Sequence, residues 1–379
     1  MRVRFTKPES TGTKKKKIYI NGRFLSQATS GVQRFATEVT KGLDDMIGKV
    51  KDCPFEAVII APKDANHNIA LNHIQVIRKG WTTGHAWEQF ELPRYTGGNL
   101  LLNFGNTGPI LYRNQLVVIH DLATFAAPKG FSVPFLTWYR VMLPLLHMVS
   151  RRVLTMSEFS KGEMSRFFWA SEKVHVIYNG IDHLDSVISD TAALAKFGLK
   201  DKKYVLSGVG TAHPNKNYGT FMKVAEILKD EDVEFVIAGY PGGKAFAKET
   251  SASDSARFLG RTTDEELKAL YENAACFVFP SKYEGFGIPP LEAMACGCPV
   301  VASSAPSIPE ICGDAALYAN SERASEFANQ VLKCLHTPGV RDKLADRGRL
   351  HSKYFSWRNS ARCMYLHINQ TLILNGSKS

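Results

Sequence analysis

Pro280-Ser281-Lys282-Tyr283-Glu284-Gly285-Phe286-Gly287-Ile288-Pro289-Pro290-Leu291-Glu292-Ala293-Met294-Ala295-Cys296-Gly297-Cys298-Pro299-Val300-Val301-Ala302 is the stretch whose reading decides the fold. The apolar run before it, Cys276 to Phe279, reads as a buried strand. A glycine-rich turn carrying Glu284 follows. Pro289 and Pro290 suit the opening of a helix, and Glu292 is expected in its first turn. A small-residue turn around Gly297 leads into a second apolar run, so the order is strand, loop, helix, strand. Gly285 and Gly287 allow the backbone to approach a ligand closely. A helix start offers free N–H groups and the positive end of a dipole, which favour phosphate. Glu284 can hydrogen-bond sugar hydroxyls and Glu292 a ribose diol. The same residues also fit a plainer role, with Glu292 satisfying the helix dipole and the glycines serving the turn.

The alternation extends in both directions. Ile18–Ile20, Ala57–Ala61, Ile74–Ile77, Leu100–Asn103, Leu116–His120, Val153–Met156 and Val174–Tyr178 read as strands, with an amphipathic helix from Gly31 to about Leu43. Asp182 to Lys203 reads as a crossing. The pattern then restarts with strands at Tyr204–Val209, Glu234–Ala238, Ala256–Leu259, Cys276–Phe279, Pro299–Ala302 and Ala315–Tyr318. Helices are expected at Tyr218–Lys229, Asp264–Glu272, Pro290–Ala295 and Ser321–Leu335. Apolar runs alternating with helices imply an α/β chain with mostly parallel sheets covered on both faces. With 379 residues the chain has room for two such domains, and ligands of such sheets bind beyond the carboxyl ends of the strands.

Other candidate residues also follow predicted strands. Gly208-Val209-Gly210-Thr211-Ala212-His213-Pro214-Asn215-Lys216-Asn217 reads either as a diphosphate cradle, with Lys216 a point charge for phosphate, or as an ordinary turn. His120-Asp121 offers a sugar contact, a base or a cap. Ser30-Gly31-Val32-Gln33-Arg34 opens a helix, and the Gly31 amide can approach a ligand from the first domain. Trp87-Glu88-Gln89 with Leu92-Pro93 fits acceptor binding or core packing.

Composition sets limits. Hydrophobic residues at 44% and charged residues at 22% describe a globular chain, and the net charge of +11 suits nucleic acid, anionic lipid or a phosphorylated substrate. The seven cysteines have no zinc-type spacing; no disulfide framework and no metal site are expected. Met1 to Lys17 is basic and lacks an apolar core, so it reads as a disordered arm and not as a secretory signal. It serves either as a contact to an anionic membrane surface or as a solubilising tail. Val133–Val149 is too interrupted to span a bilayer. It is either an interfacial helix, with Trp138, Tyr139, Leu143 and Leu146 on its apolar side, or a core helix.

The string from Glu284 to Ser303, continued by Pro309-Glu310 and Gly313-Asp314-Ala315-Ala316, closely resembles the signature of the retaining nucleotide-sugar glycosyltransferases of family 4, which have the GT-B fold. Val118-Ile119-His120-Asp121-Leu122, Ser157-Glu158-Phe159-Ser160 and the closing Phe355-Ser356-Trp357 extend the resemblance over about Ile18 to Leu374. It implies two Rossmann-like domains facing a central cleft, with a C-terminal helix crossing back to the first. The expected division is 1–17 arm, 18–190 acceptor-side domain, 191–356 nucleotide-sugar domain and 357–379 returning helix. Glu284 is then expected beside the donor sugar, with the amides of Gly285, Phe286 and Gly287 on sugar and phosphate and Glu292 on the ribose. Lys216 matches the lysine of the phosphate loop, whereas Thr211 stands where an arginine is common. Arg261 is expected near the base, or as a substitute for that arginine. His120 is expected to contact the donor sugar, Gly31 to reach the diphosphate or sugar, and Trp357 to anchor the hinge.

The implied activity is metal-independent, retaining hexosyl transfer without a cofactor, since no Asp-x-Asp motif stands in a suitable place. Expected partners are a nucleotide sugar and a glycan or lipid-linked acceptor, with an anionic membrane surface as a further one and no nucleic acid. The expected location is cytoplasmic, peripheral at the inner face of the plasma membrane. Two alternatives stand beside this reading. A dinucleotide-dependent oxidoreductase lacks its G-x-G-x-x-G in the first βα turn. A non-catalytic nucleotide- or nucleic-acid-binding protein rests on charge alone.

Overall fold

The computed structural model of the chain describes residues 15–168, 172–211, 213–240 and 255–376. Among the described residues thirteen strands form two sheets, and every strand pairing there is parallel. The first contains β1 (Lys16–Asn21), β2 (Phe55–Ala61), β3 (Gln75–Arg78), β4 (Leu100–Asn103), β5 (Gln115–Val118), β6 (Arg152–Thr155) and β7 (Val174–Val176). The second contains β8 (Tyr204–Thr211), β9 (Glu234–Tyr240), β10 (Arg257–Gly260), β11 (Cys276–Phe279), β12 (Val300–Ser303) and β13 (Ala316–Ala319).

Strand order is β3-β2-β1-β4-β5-β6-β7 in one sheet and β10-β9-β8-β11-β12-β13 in the other. The chain therefore reverses direction between β1 and β4, and again between β8 and β11. Such switch points leave a crevice beyond the strand ends. The Glu284 loop leaves β11 and the Lys216 segment leaves β8, one on each side of the second crevice. These are the two Rossmann-like domains expected of GT-B.

Why the strands begin where they do follows from pairing. β1 starts at Lys16, ahead of the apolar run, because Lys16 and Lys17 continue the parallel register opposite Phe55 and Glu56. Lys16 Nζ also donates to the Leu372 carbonyl at 2.7 Å. The last two lysines of the expected basic arm thus belong to the sheet; the arm's residues 1–14 lie outside the described residues.

The helix Gly31–Lys49 buries Phe35, Ala36, Val39 and Leu43 at helical spacing. It runs a turn and a half beyond the expected Leu43 because Asp44 is itself buried. Its carboxylate accepts the backbone N–H groups of Asn72, His73 and Ile74 at 2.7–2.8 Å. The closing helix, Trp357–Gly376, returns to this first domain. There the Trp357 ring meets Phe35 at 6.1 Å and Tyr365 meets Phe55 at 5.4 Å.

The helix Val133–Val149 divides its apolar residues between two sides. Met142, Leu143 and Leu146 pack into the core over β5 and β6, whereas Val133, Phe135, Trp138, Val141 and Met148 face outward. Leu143 and Leu146 therefore do not share the outward side with Trp138, as expected of an interfacial helix; they lie on the inward stripe. No helix among the described residues is long and apolar enough to cross a membrane. All seven cysteines are free thiols.

Candidate active site

The Glu284 loop is held from three directions. Ser307 Oγ donates to the Glu284 carbonyl at 2.9 Å and lies 3.4 Å from that of Phe286. The Lys282 N–H donates to the Asn215 carbonyl at 2.8 Å, tying the loop to the Lys216 segment. Gly287 caps the helix Ile288–Ala295 at φ +98°, a conformation open mainly to glycine. The two prolines occupy the first turn, and Glu292, the fifth helical residue, falls in the second turn, not the first as expected. One turn deeper, its carboxylate is almost wholly buried. It lies 3.4 Å from the Tyr271 hydroxyl and 3.3 Å from His183 Nε2. Trp357 Nε1 donates to His183 Nδ1 at 3.1 Å, which places the proton of a neutral His183 on the nitrogen facing Glu292. The expected hinge anchor therefore also orients a neighbour of the site.

A cavity of about 470 Å³ opens between the two domains. Gly31 and His120 line it from the first, and Lys216, Glu284, Gly285, Phe286, Gly287 and Glu292 from the second. Lys216 Nζ pairs with Glu284 Oε1 at 2.8 Å and sits 5.7 Å above the Phe279 ring. Both side chains of the pair are largely withdrawn from water, which strengthens a charge-assisted bond.

His120 is buried, and burial pushes its imidazole down to about 4. The ring is neutral near pH 7, and since its Nε2 lies 2.8 Å from the Phe104 carbonyl, an acceptor only, the proton is on Nε2. The His120 backbone N–H donates to Asn106 Oδ1 at 2.6 Å, and its ring stands edge-on to Phe35 at 5.1 Å. A histidine so fixed can accept a hydrogen bond through Nδ1. Asp121 next to it has its carboxyl raised by burial and, less, by the charge of Glu284. It also accepts the Ala123 N–H at 2.9 Å, the cap expected as one of its roles.

Of two further expected donor contacts, one lies away from this group and the other falls outside the described residues. Arg261 is exposed and is not part of the cavity wall. The segment after it is drawn into a capping box in which Thr263 and Glu266 satisfy each other's backbone at the start of the helix Asp264–Asn273. Thr211 ends β8, and its side chain lies outside the described residues.

Several wall residues have no motif to announce them. Arg34 and Asp264 face each other across the cleft, the guanidinium meeting both carboxylate oxygens at 2.8 and 2.9 Å. Asn179 also lines the cavity, and its buried Oδ1 has no hydrogen-bond partner among the described residues. Arg34 stands three residues after Gly31, on the first turn of an amphipathic helix, where nothing in the sequence sets it apart from other helix charges.

The domains meet around this cavity through polar contacts. Ser157 Oγ and Ser160 Oγ donate to the Gly285 carbonyl at 2.7 and 3.2 Å. Tyr283 donates to Glu163 at 3.0 Å and accepts the Leu122 N–H at 3.2 Å. The Glu310 carboxylate accepts the N–H groups of Glu158 and Phe159 at 2.8 and 3.0 Å, capping a helix of the first domain from the second. Glu88, expected at an acceptor site or in the core, is fully buried and accepts from Asn21 and Thr107, both at 2.7 Å.

Residues 189–351 match the family model described as glycosyl transferases group 1. The chain is 30% identical over 277 residues to the O-antigen chain mannosyltransferase B of Escherichia coli, covering 70% of this chain and 71% of that protein. Sucrose-phosphate synthase from Thermosynechococcus elongatus superimposes with a TM-score of 0.70 at 19% identity, over 95% of this chain and 100% of that one. Anabaena HepE in complex with UDP and glucose superimposes with a TM-score of 0.68 at 17% identity, over 94% and 99%.

Proposed function

The chain belongs to the group 1 glycosyltransferases, and on that premise we propose that it moves a hexose or deoxyhexose from a nucleoside-diphosphate sugar to a glycan or lipid-linked glycan in surface polysaccharide synthesis. The family retains anomeric configuration and works without a metal. The similarity to an O-antigen mannosyltransferase supports mannose as the sugar. The oxidoreductase and binding-protein alternatives fall with membership of this family.

The observation that carries the donor assignment is the Lys216–Glu284 pair at 2.8 Å in the wall of the interdomain cavity, beside a glycine-capped helix start. In our reading Lys216 neutralises the leaving diphosphate, helped by the amides of Gly285 to Gly287 and the Gly31 amide from the opposite domain. Glu284 lies beside the donor sugar, where it hydrogen-bonds hydroxyls and stabilises developing oxocarbenium charge. Glu292 accepts from the ribose. His120, neutral at pH 7, accepts from a sugar hydroxyl through Nδ1; at about 4 it is too weak a base to take a proton in bulk. Attack from the same face as the departing diphosphate within one ion pair accounts for retention.

The outward apolar side of Val133–Val149, with Val133, Trp138, Val141 and Met148, supports a peripheral position at an anionic cytoplasmic membrane face. The acceptor would be presented there.

The test is transfer or donor hydrolysis from a panel of GDP-, UDP-, ADP- and dTDP-sugars. GDP-mannose is expected to be consumed, and Glu284→Ala is expected to abolish turnover. An unchanged rate in that variant would remove Glu284 from the reaction; no turnover of any donor by the wild-type chain would overturn the activity.

A further inference from the structure

We propose that Arg34, on the first domain, is the second cation of the diphosphate site, standing in for the phosphate-loop arginine that Thr211 replaces. The inference rests on the nucleotide-sugar reading above. Among the described residues, Arg34 and Lys216 are the Lys or Arg side chains in the cavity wall, against the carboxylates of Asp121, Asp264, Glu284 and Glu292. A diphosphate entering so acidic a cleft needs more than one positive charge to be held. Lys216 supplies a point charge; Arg34 supplies a planar guanidinium whose Nη2 contacts both oxygens of Asp264 and whose donor fork suits two phosphate oxygens.

The Arg34–Asp264 pair is built to exchange. Asp264 is 41% exposed, so water can take over its solvation, and pairs of that exposure contribute little to stability. Asp264 is also the first residue of its helix, with Glu265 and Glu266 beside it in the same turn. The helix dipole stabilises a carboxylate there whether or not the guanidinium stays. Arg34 is less exposed, at 22%, and its backbone N–H is held by the Ser30 carbonyl at 2.8 Å, so the side chain swings from a fixed base. Gly31, three residues earlier, lines the same cavity and has room beside it, the nearest atom to an added methyl being Ile288 Cδ1 at 3.5 Å. The Gly31 amide and the Arg34 guanidinium thus reach the cavity from one turn of one helix. A diphosphate that takes Arg34 from Asp264 would draw the first domain onto the nucleotide held by the second, coupling donor binding to cleft closure.

The test compares binding of GDP, UDP, ADP and dTDP with that of their nucleosides by calorimetry, in the full-length wild-type chain and in the variants Arg34→Ala, Arg34→Lys, Asp264→Asn and Lys216→Ala. For whichever diphosphate binds, Arg34→Ala is expected to raise Kd about ten- to hundred-fold, with the nucleoside unchanged. Arg34→Lys should fall between, and Asp264→Asn should bind the diphosphate as tightly as wild type or tighter. Circular dichroism melting checks that each variant folds. If Asp264→Asn weakens binding as Arg34→Ala does, the pair is a latch and the proposal fails. Equal losses for nucleoside and diphosphate in Arg34→Ala also overturn it. If Lys216→Ala loses the diphosphate while Arg34→Ala does not, Arg34 alone is misassigned. If no diphosphate binds the wild-type chain, the nucleotide-sugar reading itself is lost.

Discussion

Replacing Gly285 by alanine adds one methyl group at the tightest point between the domains. The new Cβ would lie 2.5 Å from the His120 carbonyl oxygen and 2.7 Å from Asp121 Cβ. Both are roughly 1 Å short of ordinary van der Waals contact. The backbone at Gly285 is outside the left-handed region, so the conflict is one of contact and not of torsion. The loop cannot easily retreat, because Ser307 holds it from behind and Ser157 and Ser160 hold its carbonyl. The strain is therefore relieved by the first domain moving off the second. Overpacking of this kind costs about 1–3 kcal/mol, and a displacement of about 1 Å at a reacting centre costs on the order of a hundred-fold in rate. Steady-state kinetics should show kcat/KM falling about a hundred-fold. The groups proposed to bind the nucleotide from the second domain are untouched, while Arg34 and the Gly31 amide shift with the first, so Kd for the nucleoside diphosphate should rise, but by less than kcat/KM falls. A variant with wild-type kcat/KM would refute the idea that the contact between Gly285 and His120–Asp121 sets the geometry of transfer.

Three further outcomes are expected. Lys216→Ala removes a charge-assisted bond and leaves Glu284 largely buried without its partner, so nucleoside-diphosphate affinity should drop by about 1.5–3 kcal/mol; unchanged affinity in calorimetry would count against the phosphate role. Glu310→Ala uncaps a helix of the first domain from the second, at a cost of about 0.5–2 kcal/mol, seen as a lowered melting temperature, with Glu310→Gln losing less. Stability should also depend on pH through His120, whose pKa of about 4 in the fold lies below the ordinary 6.5. Between those values the unfolded chain holds the extra proton, so stability is full above about pH 6.5 and falls by up to roughly 3 kcal/mol as pH approaches 4. His147, also held at about 4 by burial, adds to the same slope; urea midpoints that stay flat from pH 6.5 to 4.5 would contradict both.

The strand bodies of β4, β5, β11 and β12 were legible because each is a largely apolar run buried on both faces. Strand ends were not, because polar residues such as Lys16 and Lys17 join a ladder through backbone pairing alone. The helix Val340–Ser352 left no readable pattern, since it buries Leu344, Ala345, Gly348 and Ser352, two of which carry no apolar signal. Gly348 lies against Met294, so a small residue and not a large apolar one marks that contact. The helical turn Trp87–Glu91 widens to i+5 bonding, which puts Glu88 into a buried polar cluster; no local periodicity announces such a widening.

The half of the site on the second domain was readable because one local string, Glu284 to Glu292, carries loop, cap and helix together. What links it to the first domain is not local. Arg34 meets Asp264 across 230 residues and Glu310 meets Glu158 across 152. A charge at either position is unremarkable on its own helix and acquires meaning only when the two sheets face each other. The same reasoning applies to Arg261. It follows a strand, as a ligand residue should, yet Thr263 and Glu266 claim the turn after it for a helix cap. A strand end marks where a site can be; which charges enter it depends on the opposing domain. Here that domain presents Arg34 to Asp264 at 2.8 Å and presses His120 and Asp121 against Gly285. Donor binding and domain closure therefore act through the same few contacts. Substitutions there should alter kcat/KM more than they alter the stability of either domain.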